Sequence, residues 1–491
     1  MRSALDASRR AAALRAVDSK VVDLLVVGAG ATGTGTALDA ASRGLDVVLI
    51  DKGDIASGTS SRSSQLVHGG LRYLQQGNVA LVRESLRERE LLLTRLAPGL
   101  VKPLPFLLPL RHRVWERAYV SAGLMAYDLL AGSGTLPRHR HRTRTGARER
   151  FPDLRPEALV GAIEYYDAQM DDARLAVAIA RTAAAYGAHI APHVALVGYQ
   201  GMGSDGVHRV SVRDEITGEE HTVAARAIAL CAGVWAPEVT ALFTGGGGAI
   251  DVVRSKGVHL RLPRTAIEGS TALIVPTDRS VLFVLPSADH WLVGTTDTAW
   301  TKSPDSVAPS VDDVDYLLRL LDGVVSSGIT SDDVTWTFAG LRPLVRDQAV
   351  GGDTAKVTRE HRIARVVPGV LAIVGGKWTT YRVMARDLVD TILQESGVGP
   401  RPCRTEDIPL VDSRRTEVEM LVAEDPLLDQ PLAGAPEYLR ADVVQAVVHE
   451  GAVTIDDVVD RRLRLHLHLD AVRDETLSDI ASVLEGLRSG T

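Results

Sequence analysis

The chain has 491 residues, enough for about three domain-sized units and far beyond a small disulfide scaffold. Hydrophobic residues at 45% and charged residues at 24% exclude a disordered chain, and a net charge of −7 excludes a general nucleic-acid binder. Two cysteines, Cys231 and Cys403, allow neither a disulfide framework nor a paired-cysteine metal site, so no metal and a reducing, cytoplasmic compartment are expected.

In chain order, residues 1–20 read as a loose or helical arm, since Arg15, Asp18 and Lys20 break any hydrophobic stretch. Val21–Val27 is an apolar, β-branched run suited to a strand buried on both faces. It runs into Gly28-Ala29-Gly30-Ala31-Thr32-Gly33, a helix rich in small residues, and a second strand, Val47–Ile50, ending at Asp51. Gly28 permits a tight turn, Gly30 lets a pyrophosphate approach the backbone, and Gly33 lets helix and strand pack. The helix N-terminus offers positive potential to phosphate, and Asp51 offers acceptors to a ribose, which favours NAD or FAD over NADP. Lys52 follows within reach of the same end of the cofactor.

Thr59, Ser60, Ser61 and Ser64 form a hydroxyl-rich loop able to donate to a phosphate or a flavin. Gln65, His68, Gly69 and Gly70 then precede Arg72 and Tyr73, and the glycine pair suits close backbone approach to a flat ligand, favouring FAD. Pro103–Leu110 is apolar and followed by arginines, and Arg138–Arg142 is a basic run; together they suit an anionic lipid surface or a solvated loop. A helix over 175–186 precedes a strand over 193–199, whose Val194 suits contact with an adenine. Strand patterns recur at 258–262, 271–275 and 281–285. Val370–Val374 is another buried strand, leading into Gly375, Gly376, Lys377 and Thr379 at a second helix start. From about 404 onward the spacing is helical, and no internal repeat is visible.

These segments together resemble FAD-dependent sn-glycerol-3-phosphate dehydrogenases of the aerobic, respiratory type across nearly the whole chain. The resemblance is carried by Gly28–Gly33 with Asp51, by TSSRSSQLVHGGLRY at 59–73, and by YDAQMDDARL at 166–175. It continues through KGVH at 256–259, GTTD at 294–297, GLRP at 340–343, TREH at 358–361 and GGKWTTYR at 375–382. Two departures are Val258, where the family has serine, and Ala232-Gly233-Val234-Trp235, where it has a proline third. No calcium-binding loop occurs, so the calcium regulation of mitochondrial members is not expected.

The resemblance implies an α/β fold. A Rossmann-like FAD-binding domain would comprise 20–98, 152–235 and 335–395. A β-rich substrate or cap domain would comprise 99–151 and 236–334, followed by a C-terminal helical domain at 404–491. It implies hydride transfer from C2 of glycerol 3-phosphate, giving dihydroxyacetone phosphate, with electrons passed to a quinone by an enzyme peripheral on the inner face of the cell membrane. His259 is the expected proton acceptor and Arg342 the group that holds the C2 oxygen. Arg72, Arg359 and Lys377 are the phosphate candidates, with Tyr73 donating to phosphate or supporting the flavin. Thr296 and Asp297 support the pocket. An oxygen-using glycerol-3-phosphate oxidase, an FAD-dependent amine or amino-acid oxidase and a non-catalytic nucleotide-binding protein stand as alternatives; oligomeric state is open, a homodimer included.

Overall fold

In the computed structural model, all residues are described except 1–2, 76, 112–114, 133, 248, 278–280, 346–359, 398 and 490–491. The chain divides into two units. The first comprises 1–61, 172–252 and 361–491, and the second comprises 62–171 and 253–360.

The first unit is built on parallel strands in the order His189–Ala191, Val47–Ile50, Val21–Val27, Glu220–Leu230 and Val370–Gly375. Leu24, Val26, Leu49, Ile228 and Ala372 are fully or almost fully buried, which is why these strands read as continuous apolar runs and not as alternation. His361–Val367 adds an antiparallel edge, and Val194–Met202 with His208–Asp214 forms an antiparallel meander on Glu220–Leu230. The helices Ala31–Ser42, Asp172–Ala185 and Tyr381–Glu395 pack together, and the N-terminal arm is helical over Ala7–Ser19. The C-terminal segment also belongs to this unit. Its helices Arg414–Glu424, Arg440–Val448 and Asp474–Ser489 surround an apolar cluster of Leu432, Val443, Val458, Leu465, Ile480 and Leu484.

The second unit is a ten-stranded mixed sheet running from Thr298–Ala299 through Val252–Pro263, His290–Gly294, Val281–Pro286, Ala272–Pro276 and Val101–Leu110 to Gly161–Met170 and Leu66–Val67. Because Leu66–Val67 pairs with Gly161–Met170, residues 62–98 pack here and not with the nucleotide-binding pieces with which motif order grouped them. The apolar stretch Pro103–Leu110 is a strand paired along its whole length with Gly161–Met170. Phe106, Leu107, Leu108 and Leu110 are buried, so this segment is core and has no apolar face for lipid. Among the described residues no helix is long and apolar enough to cross a membrane.

Candidate functional site

The first unit contains the glycine turn. Gly28 has φ +106°, and a Cβ there would lie 2.5 Å from the Cys231 carbonyl oxygen. A Cβ on Gly33 would lie 1.7 Å from the Gly28 carbonyl oxygen, so the helix Ala31–Ser42 sits on the turn at a distance only glycine permits. Gly30 is the N-cap of that helix and has no side chain to cap it. Asp51 holds the turn from the next strand: its Oδ2 accepts from the Ala29 amide at 2.6 Å and its Oδ1 from the Gly53 amide at 2.8 Å. Burial raises the Asp51 pKa, and these two amides oppose the rise. Cys231, whose thiol burial pushes up to about 12, is inert packing behind Gly33.

Around this turn the expected partners gather from four segments. Thr59–Ser61 forms one 3₁₀ turn, with Ser60 Oγ accepting from the Ala31 amide at 2.9 Å, and Thr32 lies in the first turn of the helix. Lys52 Nζ sits 4.4 Å from the ring centre of Trp235. The buried Val194 donates its amide to the Asp51 carbonyl at 2.6 Å. Gly375 and Gly376, at φ +79° and +80°, lead to Lys377 and to the 3₁₀ turn Trp378–Thr380, which contains the buried Thr379. Trp378 Nε1 donates to the Ser60 carbonyl at 3.0 Å. A turn that excludes side chains, a helix start whose N-cap is glycine and an acid at the next strand end fit a dinucleotide cofactor.

The second unit carries a separate constellation around His259, 2% exposed in the strand Val252–Pro263. Its Nε2 lies 2.8 Å from Ser64 Oγ, and its ring stacks on Phe338 at 4.9 Å between centres. A Cβ on Gly294 would lie 2.3 Å from His259 Cδ2, so glycine there makes room for the ring. Burial, aided by the nearby Arg342 guanidinium, pushes the His259 pKa down to about 3, far from the ordinary value that suits a base near neutrality. The imidazole is therefore neutral near pH 7. Its Nδ1 and the Nε2 of Gln65 (φ +57°) are buried polar atoms with no hydrogen-bond partner among the described residues.

Arg342 is fixed by its neighbours. Nη2 donates to Thr295 Oγ1 at 2.9 Å and Nη1 to the Thr296 carbonyl at 3.1 Å. Thr296 Oγ1 accepts from the Val258 amide at 3.0 Å, and Asp297 accepts from the Ser255 hydroxyl, so both residues act as scaffold around Arg342. Behind Gly69 stands a buried trio that the motif reading did not assign. Tyr127 Oη accepts from the Gly69 amide at 2.8 Å and donates to Asp167 at 2.7 Å, and Arg89 pairs with Asp167. Asp167 lies within the quoted segment 166–175; nothing local marks Tyr127, Arg89 or Phe338, which arrive from distant strands and helices. Gly70 has φ +81°, and His68 is half-buried. Arg72 and Tyr73 lie on the short helix Leu71–Gln75, where the Tyr73 ring packs against the cluster of Val82, Leu86 and Tyr127. The Arg72 side chain and all of Arg359 fall outside the described residues.

The glycine turn and its acid define a dinucleotide-binding oxidoreductase fold, and comparison with known proteins narrows it. Residues 23–391 match the family described as FAD dependent oxidoreductase, and 413–487 match the C-terminal domain of alpha-glycerophosphate oxidase. Glycerol-3-phosphate dehydrogenase 2 of Mycobacterium tuberculosis is 40% identical, over 98% of this chain and 88% of its own length. Glycerol-3-phosphate dehydrogenase of Mycobacterium leprae is 41% identical, over 95% and 84%. The crystal structure of glycerol-3-phosphate dehydrogenase from Bacillus halodurans complexed with FAD superimposes with a TM-score of 0.77 at 26% identity, covering 98% of this chain and 94% of that one. An L-alpha-glycerophosphate oxidase from Mycoplasma pneumoniae shares the fold at 18% identity, with a TM-score of 0.62 over 76% of this chain and 95% of that one. The chain belongs to the FAD-dependent oxidoreductases and, within them, to the glycerol-3-phosphate dehydrogenase family.

Proposed function

We propose that the protein oxidises sn-glycerol 3-phosphate to dihydroxyacetone phosphate and passes the electrons to a quinone at the inner face of the cell membrane. The observation that carries the first part is 40% identity to a glycerol-3-phosphate dehydrogenase over 98% of the chain, with the motif residues present. FAD, when bound, supplies the two-electron acceptor for the hydride that leaves C2. Gly28, Gly30, Gly33 and Asp51 would hold its adenosine diphosphate half, with Thr59, Ser60, Ser61, Lys52 and Val194 beside them. Ser64, Gln65, His68, Gly69, Gly70, Gly375, Gly376, Lys377 and Thr379 are assigned to the remainder.

His259 takes the C2 hydroxyl proton as the carbonyl forms. Its neutrality supports this role because only the unprotonated ring can accept. A dianionic substrate phosphate would draw the imidazole pKa up from its depressed value and strengthen it as a base. Arg342, held by Thr295 and Thr296, steadies the developing alkoxide. Arg72, Arg359 and Lys377 are assigned to the phosphate.

The membrane assignment rests on the helix Trp115–Ala131. Trp115, Tyr119, Met125 and Leu129 are all exposed on it. The basic run lies along the same helix: His139 pairs with Asp128 at 2.6 Å, and His141 approaches Arg117 at 3.1 Å. An exposed apolar stripe on a helix that carries a basic run beside it suits an anionic lipid surface. The test is the flavin spectrum. Anaerobic glycerol 3-phosphate should bleach it, amino acids should not, and a quinone should restore it faster than oxygen. Bleaching by an amino acid alone would refute the substrate. Faster restoration by oxygen would make the protein an oxidase.

A further inference from the structure

The C-terminal segment reaches the loop 51–61, which follows the nucleotide-binding turn, through three buried arginines. Arg462 grips Asp54 with both ends of its fork, at 2.7 and 2.8 Å, and Arg461 Nε donates to the same carboxylate at 2.6 Å. Asp54 lies three residues past Asp51 and is 1% exposed. Arg464 donates to the Ser61 carbonyl at 3.2 Å, at the far end of the same loop, and to the buried Asp172 at 2.9 Å. Asp457 accepts from His193 Nε2 at 2.9 Å, and the His193 amide donates to the Gly53 carbonyl at 2.7 Å, one residue before Val194. The loop 51–61 is thus tied at Asp54 and Ser61 to a segment more than 400 residues away in sequence, and the strand start beside it is tied to the same segment across 264 residues.

The backbone bends to make these ties. Asp457–Arg462 is a π-helical turn, which brings Asp457, Arg461 and Arg462 to one side. Arg464 at φ +58° and His193 at φ +57° occupy the left-handed region, disfavoured for any residue with a Cβ. Burial alone would raise the Asp457 pKa, but His193, Arg462 and Arg461 hold it well below the usual carboxylate range. A carboxylate kept charged in the interior needs all of these partners.

We propose that Arg461, Arg462 and Arg464, with Asp457, are positioning residues for the dinucleotide cofactor. They set the shape of the loop 51–61, so the C-terminal segment governs how tightly FAD is retained. This rests on the reading of Gly28–Gly33 and Asp51 as the cofactor site. Glu450 offers an internal control. It pairs with Arg174 and ties the same segment to the helix Asp172–Ala185 without touching 51–61.

The experiment is the FAD dissociation constant, read from the fluorescence of released flavin on dilution of the holoenzyme, well below its thermal midpoint. Arg464→Lys and Asp457→Asn should raise it at least about 10-fold, while Glu450→Gln should lower the thermal midpoint and leave it within about twofold. If either positioning variant fails to fold, Arg461→Lys replaces it. Wild-type FAD affinity in folded positioning variants overturns the proposal. An equal loss in Glu450→Gln does so too, because the effect would then be general loosening. Asp51→Asn separates the underlying reading: unchanged affinity there would show that the cofactor-site assignment itself is wrong.

Discussion

Replacing His259 with asparagine should remove a pH dependence of stability that the structure makes large. Burial beside Arg342 holds the imidazole near a pKa of about 3 in the folded protein, against 6.5 for a solvated histidine. The folded state therefore binds fewer protons than the unfolded state at every pH between these two values, and stability falls as pH drops through that window. From about pH 7 to about pH 5, a single group with these two pKa values costs about 2 kcal/mol, and the full loss, reached below the folded value, is about 5 kcal/mol. Other titrating groups contribute equally to wild type and variant, so their difference isolates His259. Urea denaturation of both proteins at the two pH values is the assay. The wild type should lose about 2 kcal/mol more than His259→Asn. An identical loss in both would refute the claim that His259 is buried as a neutral ring. The same variant should slow anaerobic flavin reduction about 10²- to 10⁴-fold with FAD still bound, and unchanged reduction kinetics would remove it from the proton-transfer role.

Three other perturbations probe distinct parts of the molecule. Gly33→Ala drives a methyl into the Gly28 carbonyl oxygen, 1.7 Å away, and should destabilise the protein by at least about 1–3 kcal/mol and abolish FAD co-purification. A yellow, folded alanine variant would contradict the turn described above. Tyr127→Phe removes the hydroxyl shared by the Gly69 amide and Asp167 and should cost about 1–3 kcal/mol in urea denaturation, against less than about 0.5 kcal/mol for the exposed control Tyr186→Phe. Trp115→Asp with Leu129→Asp should lower binding to anionic vesicles in flotation at low salt while leaving flavin reduction unchanged. Full retention on vesicles would move the lipid contact elsewhere.

The nucleotide-binding half was legible in the sequence because its physics is local. A buried parallel strand must be largely apolar, the turn after it must be glycine where a Cβ would strike backbone, and the acid that holds the turn sits at the next strand end, so 21–51 carries its structure in consecutive residues. The same holds for the glycine pair before Lys377. Composition misled where burial depends on distant partners. Pro103–Leu110 is apolar with basic neighbours, but only its pairing with Gly161–Met170 makes it a core strand, and the exposed large apolar side chains lie instead on the helix that follows. His259 illustrates the limit for a single side chain. Its identity and motif can be read from the chain, but its protonation is set by its burial and by Arg342, and its ring is placed against Phe338 and Ser64, all brought from other strands and loops. The three arginines at 461–464 look, by sequence, like a few among 48. Only folding brings them to Asp54 and Asp172, because charge recognition acts through space and leaves no period or spacing in the chain.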